Sequence, residues 1–233
     1  MTRSQIVKDG LWHNNPALVQ LLGLCPLLAV SNTVATSLGL GLATIVVLGA
    51  SNGLVALIRN HVDAATRLPL FVLIIAGLVT CVDLAMQAWS FELHQRISLF
   101  VALIVTNCTL LGRAETFASK NPVFYSILDG LMMGMGFLLV LLAMGFCREL
   151  LGHGTLFSQM DLLFGDAAKT WTIEFTTDRQ GFLLAVLPPG AFIMMGLFLA
   201  LKNVVDERLH ITSGVPDDVT QDIQRARIDI RNP

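Results

Sequence analysis

Apolar and polar residues alternate along this chain on the length scale of a lipid bilayer. Six apolar runs stand out, at 16–30, 38–58, 69–89, 97–112, 126–146 and 181–201, with short polar clusters between them. Four are about 20 residues long, enough at 1.5 Å per residue to cross a hydrocarbon core of about 30 Å. The first and fourth are about 15 residues and meet polar sequence early, at Ser31-Asn32-Thr33 and at Gly112-Arg113-Ala114-Glu115. The pattern predicts an all-α integral membrane protein of six transmembrane helices, the first and fourth short or broken.

Those two short runs resemble each other. LVQLLGLCPLL ends at Leu28 and FVALIVTNCTLL at Leu111, and each leads to a cysteine, one further residue, then Leu-Leu. Cys25 and Cys108 are the aligned positions, 83 residues apart. Each run opens a set of three segments, so the chain reads as a 3+3 repeat, about 11–89 and 97–201. Three crossings are an odd number, so the second set inserts upside down relative to the first. Inverted repeats bring corresponding broken helices together near the midplane, where sites are built. Cys25 lies about 14 Å beyond Pro16 and Cys108 about 16 Å beyond Ile97, so both thiols fall near the middle of the lipid. Pro26 after one cysteine and Asn107 before the other predict a helix interrupted at each thiol. Gly39, Gly41, Gly134 and Gly136 allow close helix approach.

Composition agrees with this layout. Of 233 residues, 54% are hydrophobic and 14% charged, against about 25% charged in a soluble domain. The mean hydropathy is +0.69. A net charge of −2 gives no sign of a nucleic-acid partner or an acidic substrate. Six crossings put both termini on one side together with eleven of the 15 Lys and Arg, and Arg96, Arg148, Lys169 and Arg179 on the other. That bias places both termini in the cytoplasm. The N-terminus lacks the features of a cleavable signal peptide. Residues 147–180 read as an external loop with an amphipathic stretch, a plain loop being the alternative, and 202–233 as a polar cytoplasmic tail. Trp12 and Trp89 sit near segment ends, as interfacial aromatics do.

Four cysteines are too few for a secreted disulfide scaffold. Buried cysteine behaves by default as a small hydrophobe, and Cys81 and Cys147 are read that way. At Cys25 and Cys108 the repeat favours ligation, because two thiolates at one site suit a soft metal or an iron–sulfur cluster. A disulfide between them is the competing reading. A [2Fe–2S] centre needs four ligands; unless Cys81 and Cys147 join, whose placement breaks the repeat, a second, similar protein is the economical source of two more.

At these residues the chain resembles a known family. GLWHNNPALVQLLGLCPLLAVSN (10–32), LGLGLAT (38–44), LIVTNCTLLGRAETFASKNP (103–122), LDGLMMGMGF (128–137), RELLGHGTLF (148–157) and LLAVLPPGAFIMMGLFLALKN (183–203) carry the resemblance. The family is that of the E subunit of the Rnf/Rsx electron transport complex, shared with the D subunit of the sodium-translocating NADH:quinone reductase. The external loop and the LPPGAF turn are more similar to the Rnf member. The resemblance implies a bacterial inner-membrane component paired with the homologous six-helix A subunit of opposite orientation, alongside the B, C, D and G subunits. It implies one intramembrane [2Fe–2S] cluster shared by the pair, to which Cys25 and Cys108 contribute. It also implies electron relay between ferredoxin and NADH coupled to movement of Na⁺ or H⁺.

Asp83 lies inside the third run, where an ionisable group invites an ion-path role, unless it reaches water at the interface. Arg113 and Glu115 read either as a local ion pair or, for Arg113, as a positive-inside anchor. Pro188-Pro189-Gly190 is expected to kink the sixth helix. No nucleophile–base set, phosphate loop or dinucleotide fingerprint is present, so this chain alone carries no evident catalysis. The rival readings are a transporter-like or purely structural component with incidental cysteines.

Overall fold

The computed structural model describes residues 6–7, 9–63, 66–89, 91–153, 155–156, 173–174 and 187–208. Among them are seven α-helices: α1 (Leu24–Val30), α2 (Val34–Ile58), α3 (Arg67–Trp89), α4 (Phe91–Val105), α5 (Cys108–Arg113), α6 (Val123–His153) and α7 (Pro188–Arg208). Widely wound turns at Asp9–His13 and Ala114–Ala118 precede α1 and extend α5. After α6, β1 (Thr155–Leu156) pairs antiparallel with β2 (Ile173–Glu174), Thr155 opposite Glu174.

Five segments of these are long and apolar enough to cross a membrane: Val34–His61, Arg67–Ala88, Phe100–Ala118, Val123–Gly152 and Pro188–Arg208. The sequence pattern predicts six, and the run at 16–30 accounts for the difference. Leu21 and Gly23 adopt left-handed backbone (φ 54° and 74°), which no α-helix tolerates, and only the seven residues of α1 follow as helix. The fourth run is broken too, α4 ending at Val105 and α5 starting at Cys108.

At the centre lie α2 and α6, packed antiparallel along their length. Gly41 meets Leu138, Gly49 meets Leu131 and Gly53 meets Ile127, numbers rising on one helix as they fall on the other. A Cβ on Gly130 would stand 2.8 Å from the Leu48 carbonyl oxygen, and one on Gly134 3.0 Å from the Ile45 Cα. Backbones this close are what small residues supply where lipid gives helices no hydrophobic reason to associate. Phe137, Leu141 and Met144 of α6 extend this seam into a core with Leu27, Leu40, Val47, Ile75, Ile104 and Leu110. By contrast α3 and α7 are mostly unburied, 17% and 22% of their apolar windows against 61% for α2.

The N-terminal turn leans on α6. Asn15 donates from Nδ2 to the Leu11 and Gly136 carbonyls, at 3.2 and 3.1 Å. Gly136 leaves room for this, since a side chain there would strike the Gly10 carbonyl and lie 2.9 Å from Asn15 Nδ2. Gly136→Ala is expected to cost about 1–3 kcal/mol through overpacking. In a detergent melt that is roughly 2–4 °C per kcal/mol. Gly77→Ala, with nothing within 4 Å of the new methyl, should leave the melt unchanged. Equal melting of the two variants would refute the packing.

Several boundaries differ from the sequence reading, for one reason. Helix α6 continues to His153 with Arg148 and Glu149 buried in it, so neither belongs to an external loop. Helix α7 continues past the expected boundary at 201 to Arg208, with Lys202 and Asp206 buried and paired with each other. Charged residues did not end these helices because their charges face protein partners instead of lipid. The prolines at 188 and 189 open α7 and do not kink it; the first helical turn needs no amide donors there. Most of the stretch 157–180 and all of 209–233 lie outside the described residues, so the amphipathic stretch and the tail receive no structural account.

Candidate cofactor site at two helix breaks

The two breaks meet. Gly23, two residues before Cys25, fits where any Cβ would stand 2.9 Å from Asn107 Oδ1, 2.9 Å from Thr109 Oγ1 and 3.0 Å from the Phe137 ring. Asn107 and Thr109 flank Cys108 directly. Glycine is required at 23 for its left-handed backbone and for this lack of space. Asn107 ends the second break by capping α5, its Oδ1 accepting from the Thr109 amide at 2.9 Å.

Cys25 lies in the first turn of α1 and Cys108 opens α5, and both are exposed on the surface of the chain. Cys81 on α3 is also exposed, and Cys147 on α6 is half-buried. All four thiols are free, so the disulfide reading is not realised. Among the described residues no three His, Cys, Asp or Glu converge on a point that could hold a metal. Two exposed thiols can hold half of a soft-metal centre and cannot complete one. Beside them, Asn107 Nδ2 and Thr109 Oγ1 are buried with no hydrogen-bond partner among the described residues. Such atoms are costly unless another group satisfies them. A sulfur-rich centre completed by a second protein fits the donor set of two exposed thiols.

Helix α1 is too short to hold its own position, and α6 holds it. Arg148 Nη1 donates to the Leu28 carbonyl at 3.2 Å and to Ser31 Oγ at 2.9 Å, at the C-terminal end of α1. Glu149 Oε2 accepts from the Val34 amide at 2.8 Å, at the start of α2. The cation meets carbonyls where a helix ends and the anion meets an amide where the next begins, each complementing the local backbone dipole. Sequence reasoning missed both residues because it read the charged pair after Cys147 as the end of the segment.

The remaining candidates are occupied by other partners. Arg113 forms a two-pronged pair with Asp129 of α6, Nε to Oδ2 at 2.9 Å and Nη2 to Oδ1, and its guanidinium stacks 5.1 Å from the Phe117 ring centre. It does not pair with Glu115, which instead approaches Arg67 at 3.7 Å. Asp83 meets His94 Nε2 at 3.0 Å, joining α3 to the first turn of α4. Trp12 donates from Nε1 to Asp206 at 2.9 Å, and the Lys202 ammonium stands 5.7 Å from the same ring. That cluster borders an apolar cavity of about 290 Å³ among Leu18, Leu139, Ala143, Phe198 and Leu201.

A family model described as Rnf-Nqr subunit, membrane protein, matches residues 3–199. The E subunit of the ion-translocating oxidoreductase complex of Pseudomonas paraeruginosa is 57% identical over 225 residues, 96% of this chain and 94% of that protein. The proteins of the same name from Pseudoalteromonas atlantica and Vibrio parahaemolyticus are each 54% identical over 224 residues, 96% of either chain.

Proposed function

Because the chain belongs to the Rnf-Nqr family of membrane subunits, we propose that it is the E subunit of an ion-translocating oxidoreductase complex. In this reading it relays electrons across the bilayer by holding half of a [2Fe–2S] cluster through Cys25 and Cys108. The other two ligands come from the homologous A subunit, inserted in the opposite orientation, and the B, C, D and G subunits complete the assembly. The chain is then a six-segment 3+3 inverted repeat in the bacterial inner membrane, both termini cytoplasmic, with the first and fourth segments broken at the cysteines. The Rnf/Rsx complex is preferred to the quinone reductase as its home because the relatives at 54–57% identity are E subunits by name.

The observation that carries this reading is the contact of the two breaks, with a free, exposed cysteine beside each. Cys25 and Cys108 would hold the cluster as thiolates. When bound, such a centre takes up and releases one electron at a time. The breaks let polar backbone lie at depth because it is packed against protein, as at Gly23, and not against lipid. Phe137, Leu27 and Leu110 keep water from the inner side of the site. A stop near mid-depth divides a crossing of about 30 Å into two shorter transfers.

Iron and acid-labile sulfide in the purified complex test the reading. Two irons should be retained by a subcomplex of this chain and its sister alone. A subcomplex free of iron would leave a transporter-like or structural role.

A further inference from the structure

We infer that Arg148 and Glu149 are positioning residues that fix the helix bearing Cys25 and, through their opposite charges, set the reduction potential of the centre held there. This rests on the proposed cluster and names two residues of this chain that act on it without touching it.

The geometry is specific. Arg148 and Glu149 are 1% and 0% exposed, adjacent on α6, and they grip the two sides of the Ser31–Thr33 turn. Leu28, whose carbonyl Arg148 holds, is three residues beyond Cys25, or about 4.5 Å along the helix axis. The Leu28 carbonyl points toward the C-terminal end of α1, and Ser31, which the same nitrogen binds, is six residues or about 9 Å beyond Cys25. The guanidinium therefore stands about two helical turns from the part of α1 that presents the thiol, in a region where water screens little. A buried positive charge at that range favours the reduced, more negative state of a nearby centre, and a buried negative charge opposes it. Burying two ions is expensive, and a plain turn between two helices needs neither. Ser31 and Thr33 with backbone partners would suffice to close it.

Opposite charges give the inference a signature that a merely structural role lacks. In the assembled complex, redox titration of the cluster's EPR signal is expected to move down in Arg148→Gln and up in Glu149→Gln. Each change should be about tenfold in the reduction equilibrium, or 59 mV for one electron. Arg148→Lys, which keeps the charge and one donor, should restore most of the potential. Simple loosening of α1 would shift both glutamine variants the same way, and that result would overturn the inference. Glu149→Gln keeps an acceptor for the Val34 amide. If Arg148→Gln does not assemble, the Glu149→Gln result decides alone, and an unchanged or lowered potential sinks the idea. Absence of any cluster signal in the unaltered complex would instead refute the proposed function, so the two failures are distinguishable.

Discussion

Replacing either Cys25 or Cys108 by serine is expected, under the proposed function, to abolish the cluster's EPR and visible signals in the purified complex and to stop electron flow through it. Changing groups that only support a metal ligand costs about 10–100-fold in affinity or activity, and losing a ligand costs more. Both side chains are exposed, so serine leaves the packing of α1 and α5 as it was and the chain still inserts. The double variant should be no worse than either single one, because residues that act as a unit are not additive. Cys81→Ser and Cys147→Ser serve as controls and keep the signal. Retention of iron and electron flow in Cys25→Ser would remove the basis for the relay.

Breaking the Arg113–Asp129 pair is the second large effect. The side chains are 12% and 4% exposed, and Arg113 joins the short helix after Cys108 to the long central helix α6. Removing one partner of a buried ion pair typically costs about 3–5 kcal/mol. Arg113→Ala or Asp129→Ala should therefore lower the yield of inserted protein and the melting temperature of the solubilised complex. Joint replacement by Arg113→Met and Asp129→Leu should recover most of the loss, since apolar residues of similar volume pack well in place of an ion pair. A double variant as unstable as the single ones would mean that the charges serve more than packing.

The interruption of the first and fourth runs was legible in the sequence because it depends on local signals. Asn107 before Cys108 marks one break through its capping side chain, as its position announces; Pro26, which predicts the other, lies inside α1, and that break falls earlier, at Leu21 and Gly23. The extent of α6 and α7 was not legible. Arg148, Glu149, Lys202 and Asp206 look like exits from the lipid when read in one dimension, yet each is buried against a partner. Lys202 pairs four residues along its own helix, but Arg148 and Glu149 find theirs more than 110 residues away, and no pattern along the chain announces such a distance. Among the described residues the spanning helices number five because of Leu21 and Gly23, whose left-handed backbone has no counterpart in a hydropathy profile.

The long reach of the α6 grip also sets an order of events during synthesis. Arg148 is made 120 residues after Leu28, which at about 5–20 residues per second is a delay of roughly 6–24 s. Throughout that interval the nascent chain carries the Cys25 segment in the membrane with its final brace still unbuilt. Under the proposed function, stable loading of this thiol would therefore follow the synthesis of α6, and a chain ending before residue 148 would hold iron there poorly.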